Sequence, residues 1–85
     1  MSEITNATQA RDAFMFMRTQ LYRTDRSKDA LQLCGNIDSM ISQLSALEVQ
    51  VRRGRMKDKY VAQLQKVKDA IDILESEIFL ARLLS

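Results

Sequence analysis

Two runs of apolar residues at helical spacing, out of phase with each other, constrain this chain more than any other feature. In the first, Ala30, Leu33, Ile37, Met40, Leu44, Leu47 and Val51 alternate steps of three and four, which places them on one stripe of an α-helix. In the second, Tyr60, Leu64, Val67, Ile71, Leu74, Ile78 and Ala81 do the same. Extending the first frame would put Gly54 and Asp58 on the stripe, so the two runs are not one helix. Arg52-Arg53-Gly54-Arg55 has the residues that end one: cations facing the last carbonyls, then a glycine suited to the left-handed conformation. The chain is expected to fold back there as a long antiparallel hairpin. Counting outward from the turn pairs Val51 with Tyr60, Leu44 with Val67, Met40 with Ile71 and Ile37 with Leu74. Each arm would be about 35 to 40 Å long at 1.5 Å per residue.

A shorter helix is expected ahead of the hairpin. Thr5 or Asn6 can cap it, with Gln9 completing a capping-box pattern, and Ala10, Phe14, Met17 and Leu21 form its stripe. Thr24 or Ser27 can cap the next helix, with Asp29 in its first turn. The expected organisation is a single all-α domain with helices at about 6–23, 28–53 and 58–84 and a turn at 54–57. The absence of proline and the presence of only two glycines in 85 residues agree with a chain that is almost wholly helical.

Such a hairpin leaves apolar surface over. Phe14, Met15 and Phe16 put bulk on several sides of the first helix, and Ile73, Phe79, Leu80, Leu83 and Leu84 make the end of the last one apolar nearly all round. The outer face of the first arm, which includes Gly35, Ser39, Ser42 and Ala46, is small and uncharged where Lys and Glu are usual. These features single out Phe14, Met15, Phe16, Ser39, Ser42, Ile73, Phe79, Leu80, Leu83 and Leu84 as candidate partner-binding residues. Either the first helix covers the open side, the chain self-associates when alone, or a helical protein partner completes it.

Catalytic chemistry finds little support. Histidine is absent, Gly35 and Gly54 stand alone rather than in a phosphate loop, and the single cysteine, Cys34, has no second thiol to pair with. Asp69, Asp72, Glu75 and Glu77 read as a solvated helix surface, so no catalytic, metal or cofactor site is expected. Arg52, Arg53, Arg55, Lys57 and Lys59 cluster at the turn. Part of that charge complements a helix end, and the only nearby aromatic, Tyr60, lies on the apolar stripe, so nucleic acid is not the favoured partner. The start of the chain has no signal-peptide pattern and no apolar run approaches the roughly 18 residues of a span, so a cytoplasmic location without a membrane partner is expected.

The run from Val51 to Tyr60, with Gly54 and Tyr60 in place and a long striped helix after Leu64, resembles the small co-chaperones of the type III secretion needle subunit, the YscE/SsaE group. Met56, Lys57 and Asp58 stand where those proteins often carry a proline. The resemblance implies a cytosolic, non-enzymatic protein that pairs with a larger chaperone of helical-repeat type, the two keeping a needle subunit unpolymerised before export. Two other readings start from the same residues. One is a homodimeric helical-bundle regulator that binds nucleic acid through the basic turn, and the other is a self-assembling subunit of a secretion apparatus or phage.

Overall fold

A computed structural model describes residues 4–84 and contains three helices: α1 over Ala7–Thr24, α2 over Lys28–Arg52 and α3 over Lys57–Leu84. No strand occurs among the described residues. Each boundary has a local cause. Asn6 has an extended backbone, and its side chain accepts a hydrogen bond from the Gln9 N–H at 2.8 Å. The return half of a capping box would reach the cap residue itself; here Gln9 Oε1 accepts instead from the N–H and the hydroxyl of Thr5, both at 2.8 Å. Between α1 and α2 the Thr24 hydroxyl turns back to the carbonyls of Gln20 and Leu21, which leaves capping to Ser27, whose hydroxyl accepts from the Ala30 N–H.

The link from α2 to α3 is a Schellman motif. The Gly54 N–H donates to the Val51 carbonyl and the Arg55 N–H to the Gln50 carbonyl, both at 2.9 Å, with Gly54 at φ +75°. The turn occupies residues 53–56, one earlier than the expected 54–57, because the Met56 carbonyl already accepts from the Tyr60 N–H and so starts α3 at Lys57. A Cβ added at Gly54 would meet nothing within 4 Å. Substitution there is therefore disfavoured by backbone conformation alone. Gly54→Ala is expected to lower stability by about 1 to 2 kcal/mol in chemical denaturation, and Gly54→Val by more. A rise in stability for Gly54→Ala would mean that the left-handed turn is not populated.

One core joins all three helices, with Phe14 and Leu21 from α1, Ile37, Ile41 and Leu44 from α2, and Val67, Ile71 and Leu74 from α3 all fully buried. α1 packs on both longer helices. At one end the Tyr60 hydroxyl donates to the Thr5 carbonyl at 3.2 Å and the Ala7 N–H donates to Glu48 Oε2 at 3.0 Å. Toward the other end Arg82 donates to Gln20 Oε1. α1 and α3 consequently lie side by side in the same sense, and the start of α1 sits against the last turns of α2.

This third helix rotates the buried line of α2. The deeply buried residues are Ala30, Cys34, Ile37, Ile41 and Leu44, whereas Leu33, Met40, Leu47 and Val51 of the expected stripe are only half-buried. A helix with one neighbour buries the stripe facing it; a helix in the angle between two neighbours buries the line that bisects them. In α3 the same effect brings Gln63 and Ala70 inside, and Gln63 Nε2 finds the Met40 carbonyl at 3.1 Å. The result is a rod with Cα extents of 48 × 25 × 16 Å.

Candidate interaction surface

The last three turns of α3 hold more apolar residues than two neighbouring helices can cover. At about 100° per residue, Leu74 and Ile78 point into the core, Phe79 and Leu83 fall on one flank, and Ile73, Leu80 and Leu84 on the opposite one. All five flanking residues are exposed: Phe79 by 61%, Leu83 by 65% and Leu84 by 88%, with Ile73 and Leu80 near one half. A single exposed leucine is ordinary, but five large apolar residues exposed within three turns of one helix make a candidate interaction surface.

α1 extends that surface. Phe16, Met17 and Gln20 line a groove with Glu75, Ile78 and Arg82, and Phe16 is 68% exposed. Beside it a second groove is lined by Glu75, Ser76, Phe79 and Leu80. Phe16 is outside because its neighbour Phe14 has taken the core position. Phe14 is only 1% exposed and is therefore part of the core, not of a partner-binding face as its place in the Phe14-Met15-Phe16 run suggested. Met15 is half-exposed on a different side of α1, where the Arg18 guanidinium donates to its sulfur at 3.2 Å and also lies over the rings of Phe14 and Tyr22.

Ser39 and Ser42 are both exposed on α2, together with Gln32, Gly35, Asn36 and Ala46. A Cβ on Gly35 would meet nothing within 4 Å, so no described helix packs closely there. The uncharged face of α2 and the apolar end of α3 are thus both exposed, and a separate groove between the helices is lined by Leu33 of α2 with Ile73 and Glu77 of α3. Gly54 and Tyr60 lie away from these surfaces. Tyr60 ties the turn to Thr5, and its hydroxyl is pushed to higher pKa by burial and by the nearby Glu48 carboxylate. Both ties to the N-terminal segment, Thr5–Tyr60 and Ala7–Glu48, link residues more than 40 positions apart and leave no periodic trace in the sequence.

Among the described residues no group of three or more Cys, Asp or Glu side chains is placed to hold a metal ion. The Cys34 thiol is buried, and burial raises its pKa against the smaller opposing effects of the Tyr22 hydroxyl and Arg18. That is the setting of a packing residue. No helix among the described residues is long and apolar enough to cross a membrane. Comparison with protein families, characterised proteins and solved structures finds no match to this chain.

Proposed function

We propose that this protein is a non-enzymatic, cytoplasmic binding module that lends helical apolar surface to a protein partner, in the manner of the type III secretion co-chaperones its turn resembles. In this reading α2 and α3 form an antiparallel hairpin and α1 buttresses it. The partner is a chaperone of helical-repeat type that, with this chain, holds a needle subunit unpolymerised. Support for the hairpin comes from the four-residue link at 53–56 and from Gln63 reaching back to Met40. The observation that carries the functional reading is the apolar end of α3, left open although α1 is already packed on the core. Each large side chain there gains roughly 1.5 to 3 kcal/mol on full burial, more than enough in sum to hold a second protein.

The test is co-expression with the needle subunit and the helical-repeat chaperone of the same secretion cluster, followed by size-exclusion chromatography with light scattering. A stoichiometric complex is expected with the wild type. Phe79→Asp and Leu83→Asp should each abolish it while helical circular dichroism stays unchanged, since both side chains are mostly in solvent in the free protein. Failure of the wild type to form a complex, or survival of the complex in both variants, would refute the proposal.

A further inference from the structure

The opposite end of the rod carries a second exposed feature that this role does not use. Arg52, Arg53, Arg55, Lys57 and Lys59 fall within eight residues, all of them exposed, with Asp58 as the only acidic residue among them. Residues 52–59 therefore carry +4 in a chain whose total is +2, so the rest of the molecule is slightly acidic. Arg52 is engaged by Glu48 at 3.5 Å. The side chains of Arg53, Arg55, Lys57 and Lys59 have no ion-pair or hydrogen-bond partner among the described residues. Arg53 and Arg55 are held on a short connection whose backbone is fixed by the two Schellman hydrogen bonds, and Lys57 and Lys59 follow at once in α3. Helix-end electrostatics accounts for Arg52 in the last turn of α2, but Lys57 and Lys59 sit in the first turn of α3, where positive charge is unfavourable.

We propose that this tip docks on an anionic lipid surface. Three observations choose that occupant. The tip is one end of a rod whose two shorter Cα extents are 25 and 16 Å, a cross-section suited to contact with a plane. At its centre Met56, held at φ +58°, is 48% exposed between Arg55 and Lys57, and Val61 one turn further on is 55% exposed. Exposed apolar side chains close in sequence to cations match the boundary between headgroups and acyl chains. The nearby aromatic, Tyr60, is half-buried with its hydroxyl bonded to Thr5, so no ring is offered for base stacking. Peripheral contact of this kind needs no spanning helix, and so goes beyond the expectation of no membrane partner, which considered only spans.

The experiment is co-sedimentation of the full chain with phosphatidylcholine vesicles, with and without about one-third phosphatidylserine. Binding is expected only to the anionic vesicles and is expected to disappear in about 0.5 M salt, where screening reaches only a few ångströms. Arg53→Glu combined with Arg55→Glu should weaken the partitioning by at least about tenfold. Met56→Ser, which leaves the charge intact, should weaken it by several-fold. Phe79→Asp, at the other end, should leave it unchanged, which separates the tip from the apolar surface of α3. Three results would overturn the inference: no binding to anionic vesicles at low salt, binding that survives the double reversal, or a short DNA duplex that binds the tip and displaces it from the vesicles.

Discussion

Phe14→Ala is expected to lower the unfolding free energy by about 3 to 5 kcal/mol, a large share of what a domain this small has available. Phe14 is fully buried where α1 meets α2 and α3, so truncation removes the transfer energy of the ring and leaves a cavity that three helices would have to close together. Two residues away on the same helix, Phe16 is mostly in solvent, and Phe16→Ala should change stability by no more than about 0.5 kcal/mol. Equilibrium urea denaturation of the two variants measures the contrast. If the two effects were equal, α1 would not be seated on the longer helices in the way described. Loss of partner binding is expected only for Phe16→Ala, and then only if the groove beside Glu75 and Arg82 is occupied in the complex.

The second large effect concerns α2. Ile41→Ala is expected to be destabilising by about 2 to 5 kcal/mol, because Ile41 is fully buried between both neighbours. Met40→Ala should be destabilising by clearly less, since Met40 is half-buried and its flexible side chain fills the edge of the core. A two-helix hairpin built on the sequence stripe alone gives the opposite order, with Met40 facing Ile71 and Ile41 turned away. Thermal unfolding of the pair therefore asks whether α1 is an integral third wall of the core. A larger effect at position 40 would mean that it is not.

That contrast also shows what periodicity can and cannot convey. Strict alternation of threes and fours identified helices on either side of Gly54, because a helix needs one continuous apolar stripe and Gly54 cannot lie on it. Period alone does not fix the direction of the buried line to better than half a turn once a helix has two neighbours. Cys34 and Ile41 lie off the alternation in α2 and are buried all the same, as are Gln63 and Ala70 in α3. The Phe14-Met15-Phe16 run had the same ambiguity: three large residues in a row must point in three directions, and only packing decides which one goes inside. The apolar end of α3 was legible for the converse reason. Phe79, Leu80, Leu83 and Leu84 span too wide an arc for any one or two neighbours to cover, whatever the arrangement of the rest. The ties from Thr5 and Ala7 to the turn depend on single polar atoms meeting across the bundle and could not be read beforehand.

The shared direction of α1 and α3 puts the two extremities of the described chain at opposite poles. Thr5 is fastened to Tyr60 beside the basic turn, and Leu84 lies about 36 Å from Tyr60 at the far end of α3 by helical rise. A fluorophore attached at residue 5 would therefore sit near the cations, and one attached at residue 84 near the apolar end of α3. Labels at these two positions become independent reporters, each able to obstruct only the pole that it occupies.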